Sequence, residues 1–158
     1  MMLDYLNNVT LIQPTANLEE PEITSVMNSK IDGTHLRDVA NINDLLTASN
    51  PSVEFIPEFQ YHQLADIKKE LVAGLPVAAW IVTNDGSNDY LHSVVITGMN
   101  EEQKTISYND PTYGEEKTIT QSKFLSIWET PGARMIKVKI GRIPRDTLEK
   151  YMPQEAAT

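Results

Sequence analysis

The sequence predicts an α+β domain, with a helical first half packed on a mostly antiparallel sheet built from the second half. Three observations carry this. Apolar residues before residue 74 recur mainly at helical spacing. Residues 77–82 form an unbroken apolar run of strand length, as expected of a strand buried on both faces in mid-sheet. The stretches 91–98 and 105–110 are strand-like and joined by Asn100-Glu101-Glu102-Gln103-Lys104, which has no apolar residue and suits a hairpin loop. A chain of 158 residues has room for one domain with a real core, and it shows no internal repeat, linker or low-complexity segment.

Taken in order, Met2, Leu3 and Leu6 lie on one side of a helical turn, with Asp4 and Asn7 on the other. This helix starts without a cap in front of it and ends at Asn7-Asn8. Residues 13–17 read as loop. Pro21-Glu22 opens a short helix whose apolar stripe is Ile23, Val26 and Met27. Asp32-Gly33 is a turn and Thr34 a cap. Leu36, Val39, Ile42 or Asn43, and Leu46 trace the buried side of the next helix, with Asp38 complementing its dipole. Asn50-Pro51 stops it. Residues 53–56 form a short edge strand closed by Pro57. Residues 60–73 give the strongest helical pattern. Tyr61, Leu64, Ile67 or Lys68, and Leu71 lie on one face, and Gly74 is placed as a C-terminal cap.

After the apolar run, residues 84–89 form a polar loop back to the hairpin. Residues 117–120 read as a further strand. Residues 122–128 read as a short helix carrying Phe124, Leu125 and Trp128, and Pro131-Gly132 as a turn. Residues 133–140 make a last strand with Ile136, Val138 and Ile140 inward, and Lys137 and Lys139 outward. The domain is expected over 1–143, followed over 144–158 by a helix near 145–151 and a frayed tail.

A net charge of -9 and no Lys/Arg cluster argue against a nucleic-acid partner. No apolar run is long enough to span a bilayer, and the first residues lack the basic and apolar regions of a signal peptide. As written, the chain is expected in the cytoplasm; a longer N-terminus would reopen that question. There is no cysteine, so disulfides, thiolate metal sites and a thiol nucleophile within this chain are excluded.

The hairpin lays His92, near the start of one strand, close to Asp110 at the end of the other. An imidazole beside a carboxylate is an oriented base, two thirds of a nucleophilic triad. The bland alternatives are a core histidine satisfied by one hydrogen bond, and Asn109-Asp110-Pro111 as turn chemistry. Ser93 points to the opposite strand face from His92, which makes it a poor nucleophile. Ser25 and Ser29 have no motif. His35 and His62 lack a second ligand at i+4 for zinc. Asp85, Ser87 and Asp89 alternate like calcium ligands without the bidentate Glu of a calcium hand. Trp80 and Trp128 read as core, and Lys68-Lys69 as a solvated helix face. No cofactor site is expected.

Gly74-Leu75-Pro76-Val77, Leu91-His92-Ser93-Val94-Val95-Ile96-Thr97-Gly98, Tyr108-Asn109-Asp110-Pro111, and then Phe124 and Trp128 together resemble the C39-like cysteine peptidases of the papain-like group. The similarity covers about residues 60–140, and it rests on the order and spacing of several pieces. It implies a papain-like fold, a peptide or protein substrate, His92 as general base and Asp110 as its orienting acid. In that family the nucleophile is a Cys at the start of a helix, with an oxyanion Gln slightly upstream; neither is assignable in this chain. Met2-Leu3-Asp4-Tyr5-Leu6 resembles the continuation of that helix, so the chain is expected to enter the fold partway along it, with Met1 pointing back toward His92. A groove left there invites a neighbouring copy, hence a homodimer, or the chain's own tail. Two functions follow: a thiol peptidase in a longer form, inactive as given, or a non-catalytic peptide-binding or regulatory domain of the same fold.

Overall fold

The apolar run at 77–82 lies in the middle of the sheet, where its lack of polar alternation requires it to be. A computed structural model describes residues 2, 20–30, 34–46, 52–84 and 86–141. Its helical elements are α1 (Glu20–Val26), a 3₁₀ helix (Leu36–Leu46), α2 (Leu64–Val72) and α3 (Gln121–Trp128). Its strands are β1 (Val53–Glu58), β2 (Val77–Asn84), β3 (Asp89–Asn100), β4 (Thr105–Asp110), β5 (Glu115–Thr120) and β6 (Met135–Ile140). The six strands form one sheet in the order β1-β6-β2-β3-β4-β5, and every neighbouring pair is antiparallel. The α+β expectation holds. The layering differs from a single helical layer, because helices cover both faces.

One face carries Val77, Ala79 and Ile81 of β2, Val94 and Ile96 of β3, and Ile106 and Tyr108 of β4, packed with Ile67 of α2 and Phe124 and Trp128 of α3. The other carries Ala78, Ile136, Val138, Val53 and Phe55, packed with Val39, Ile42 and Leu46 of the 3₁₀ helix. Ile23 and Met27 pack against this second cluster. The stripe expected from Leu36, Val39, Ile42 and Leu46 is therefore real, on a helix wound more tightly than an α-helix. Thr34 does not stand next to the first turn, which begins at Leu36; its hydroxyl meets that of Ser29 instead.

Asn43 is the polar residue on this helix that the sequence left undecided. Its side chain acts as a strand mimic: Nδ2 donates to the Phe55 carbonyl at 2.9 Å, and Oδ1 accepts from the Phe55 amide at 2.7 Å. β1 is an edge strand, and this amide fixes its outer side to the helix. Asn43→Ala should cost about 2 kcal/mol, the sum of two ordinary hydrogen bonds partly resatisfied by water. Urea unfolding measures this, and a change below about 0.5 kcal/mol would show that water replaces the amide at no cost.

Several boundaries depart from expectation, two of them on either side of residue 60. β1 runs through Pro57 to Glu58, because an edge strand tolerates a residue without an amide hydrogen. The helix expected from residue 60 starts at Leu64. Residues 60–63 are held away from it: the backbone amide of His62 donates to the Ala133 carbonyl, and Asp66 Oδ2 accepts from the Gln63 amide at 2.7 Å. Tyr61, expected on the buried face, is 59% exposed. The helix end is as expected. Gly74 has φ +78°, its amide donates to Leu71 and that of Leu75 to Glu70, a Schellman closure that favours glycine.

Residues 133–140 shorten to β6, with Ile136 and Val138 buried and Lys139 exposed as expected. The helix and tail expected after residue 143, and the N-terminal helix apart from Met2, lie outside the described residues.

Candidate active site

β2, β3 and β4 present one continuous face, and its apolar character fails at one end. Val77 pairs with Ile96, Ala79 with Val94 and Ile81 with His92, so His92 shares the face of the first cluster. Ser93 pairs with Trp80 and faces the other way, as strand alternation demands. In β4, Ile96 pairs with Tyr108, and Asp110 follows two residues on, on the same face. The β3–β4 register shifts by one residue between Ile96 and Gly98, a bulge at Thr97. That extra residue lets both Ile96 and Met99 reach the first cluster and keeps the pairing beyond it in phase.

This register brings the two residues together. His92 Nε2 lies 2.7 Å from Asp110 Oδ1. Asp110 is 4% exposed and takes two further hydrogen bonds: Oδ1 from the Thr112 amide at 3.0 Å and Oδ2 from Lys117 Nζ at 3.1 Å. Burial alone would push this carboxyl upward, but hydrogen bonds from His92, Lys117 and Thr112 outweigh it and hold it down at about 2. Asp110 is therefore a carboxylate at neutral pH. A carboxylate only accepts, so His92 Nε2 is the donor. Nδ1 has no hydrogen-bond partner among the described residues. In the neutral ring Nδ1 carries the lone pair, and it is the atom that could take a proton.

Lys117 lies in the strand expected from residue 117, and nothing in the sequence marks its role. It pairs with Tyr108 across β4–β5, which puts it on the His92 face, and its ammonium lies 4.2 Å from the Tyr113 ring centroid. The hydrogen bond to Asp110 raises its titration. Tyr108 is buried and its phenol is pushed up by that burial, against the pull of Lys117 and with the push of Asp110. Tyr90, two residues before His92, meets its ring edge-on at 6.3 Å between centroids. Tyr90 is 44% and Tyr113 66% exposed, so aromatic surface stands on either side of the pair.

The buried His62 is a useful contrast to the half-buried His92. His62 Nε2 lies 2.6 Å from Glu58 Oε2, and Nδ1 lies 3.1 Å from the Ala133 carbonyl. Glu58 is also paired with Lys137. Burial raises Glu58, while Lys137 and His62 lower it further, so it too is a carboxylate. Both His62 nitrogens face acceptors and neither is open. His62 ties the segment before α2 to the turn before β6. The helix expected at 60–63 hid this, since Glu58 and His62 lie four residues apart across a helix start that does not exist.

The other candidates separate. Ser29 is bound to Thr34, and Ser25 lies on α1, whose Ile23 packs on the opposite face. No serine or threonine hydroxyl among the described residues bonds to His92. Asp89 accepts from Asn84 Nδ2 at 2.6 Å, closing the β2–β3 hairpin, and Asp85 lies outside the described residues. No group of three His, Asp or Glu among the described residues could hold a metal. Trp128 is buried and Trp80 packs against the second cluster, as expected of core residues.

A model of the Peptidase_C39 like family matches residues 2–135, most of the chain. The chain belongs to this family. No curated protein and no solved structure matches it. The Peptidase_C39-like match spans both strands that carry the pair and the helix with Phe124 and Trp128, and makes this a peptidase-related domain. Met2, where the match begins, packs against the second cluster with Trp80 and Ala78, on the face opposite His92. No helix among the described residues is long and apolar enough to cross a membrane.

Proposed function

We propose that this chain carries the acid–base half of a C39-like, papain-like thiol peptidase site, with His92 the proton acceptor and Asp110 its orienting acid. The contact at 2.7 Å, with no partner on Nδ1 among the described residues, is the observation that supports it. In a Cys-His-Asp mechanism, Nδ1 takes the thiol proton and the thiolate attacks the peptide carbonyl. The imidazolium then returns the proton to the leaving amine. Water, deprotonated by the same nitrogen, hydrolyses the thioester. Asp110 holds the ring in place through its Nε2–H at each stage. The chain has no cysteine, so it performs no such cycle alone.

That lack of cysteine favours a second reading, a non-catalytic peptide-binding domain of the same fold. Tyr90 and Tyr113, exposed on either side of the pair, would supply the contact surface.

The chain should release peptide fragments from casein or a fluorogenic peptide no faster than buffer. Turnover that disappears in His92→Ala would reveal a nucleophile other than sulfur and overturn the proposal. The two readings separate when the codons preceding Met1 are translated with the chain. An upstream cysteine alkylated by iodoacetamide at a His92-dependent rate supports the peptidase. A cysteine indifferent to His92→Ala, or none, leaves the binding domain.

A further inference from the structure

Asp110 is buried and charged, and two cations can offset it: the His92 ring if it gains a second proton, or the Lys117 ammonium. Which of them carries the compensation decides whether His92 can act as a base. An imidazole whose only neighbour is a buried carboxylate is drawn toward the imidazolium, because an unpaired buried charge is costly. An imidazolium has no lone pair to offer. With an ammonium already on the carboxylate, Asp110 and Lys117 sum to zero, and a second proton on His92 would add an uncompensated charge.

We propose that Lys117 is a positioning residue for His92: it neutralises and fixes the Asp110 carboxylate, so that the imidazole stays uncharged with Nδ1 open. This rests on the reading of His92 as a base. The geometry is specific. Lys117 binds Oδ2 while His92 and the Thr112 amide share Oδ1, so the ammonium and the imidazole do not compete for one oxygen. The carboxylate plane is thereby set by donors on three sides. The ammonium is itself held from the far side by the Tyr113 ring at 4.2 Å. Among the described residues, Glu115 also faces the pair, since it lies opposite Asp110 across β4–β5, and it is exposed to water, which screens its charge. Ile81 of β2 lies opposite His92, Tyr90 precedes it on β3, and Tyr108 of β4 is a phenol that burial keeps protonated. Among the described residues, Lys117 is thus the cation that binds the carboxylate.

The test uses diethyl pyrocarbonate, which acylates the neutral imidazole, with His92 followed separately by peptide mass spectrometry at pH 7. Lys117→Gln should slow acylation of His92 roughly threefold, the loss of neutral imidazole at pH 7 that removing one unit charge at a partly solvated pair distance produces. Lys117→Arg should restore the parental rate. In the Asp110→Asn background the same Lys117→Gln change should have no effect, since no carboxylate remains to offset. A rate that is unchanged or faster in Lys117→Gln overturns the proposal. So does an equal change in both backgrounds, which is what a merely structural lysine would give. Thermal melting confirms that each variant is folded, and His62, with both nitrogens engaged, is the internal control for loosening. None of these outcomes depends on peptide cleavage. A failure here therefore removes Lys117 and leaves the peptidase reading standing, and a failure of that reading leaves this result intact.

Discussion

Asp110→Ala lowers the unfolding free energy by about 3 kcal/mol at pH 7, and the gap between variant and parent narrows as the pH falls toward 2. The magnitude follows from what is left behind: the His92 ring, the Thr112 amide and the Lys117 ammonium all lose their acceptor. Lys117 can turn to water, which keeps the cost at the lower end for a broken buried pair. The pH dependence follows from linkage. Burial raises the Asp110 carboxyl, the three donors more than offset it, and the folded-state value is about 2 against 3.8 for the free side chain. A depressed carboxyl contributes stability that is fully present above the unfolded value and is lost as the pH falls through the folded one. The window is therefore about pH 4 down to about 2, and the titratable part is about 2 kcal/mol. Urea unfolding of both proteins across that window decides it. Parallel stability curves would mean that Asp110 contributes by packing alone.

Trp128→Ala should cost about 4 kcal/mol and lower the melting temperature by roughly 10 °C. Trp128 is 0% exposed and lies tilted against Phe124, with ring centroids 5.4 Å apart. Its truncation opens a cavity between α3 and β2 that backbone movement cannot close, because both elements are held by other contacts. The indole also donates from Nε1 to the Arg134 carbonyl at 3.0 Å. That bond anchors the turn leading into β6, whose Ala133 carbonyl in turn receives His62. Trp128→Phe keeps most of the apolar surface and strands the carbonyl, so it should cost about 1.5 kcal/mol. Calorimetry on the two variants separates packing from hydrogen bonding. A loss below about 1 kcal/mol in Trp128→Ala would show that α3 is not an integral part of the core.

Both predictions concern residues that the sequence marks by itself. Phe124 and Trp128 fall at helical spacing and their burial follows. His92 and Asp110 sit at opposite ends of a hairpin whose loop is short and polar. A register fixed by alternating apolar residues leaves them little choice but to meet. Lys117 and the Glu58–His62 pair were not visible. Lys117 lies on an edge strand, where a lysine ordinarily faces water, and nothing local marks that it leans toward a buried carboxylate at the end of β4. Glu58 and His62 were obscured because the apolar spacing after residue 60 suggested a helix. Tertiary hydrogen bonds from His62 to Ala133 hold those residues extended instead.

The sequence by itself determined the α+β class, the central position of β2, the hairpin, the Gly74 helix end and the meeting of His92 with Asp110. Each depends on period, turn chemistry or a contact across one short loop, and these are encoded within a few residues. Only the tertiary structure decided that helices cover both sheet faces, that β1 closes the edge beside β6, and that Lys117 completes the Asp110 pair. Those depend on which strand lies next to which. Strand order is set by burying the largest apolar area from segments far apart in the chain, a sum that no single segment contains.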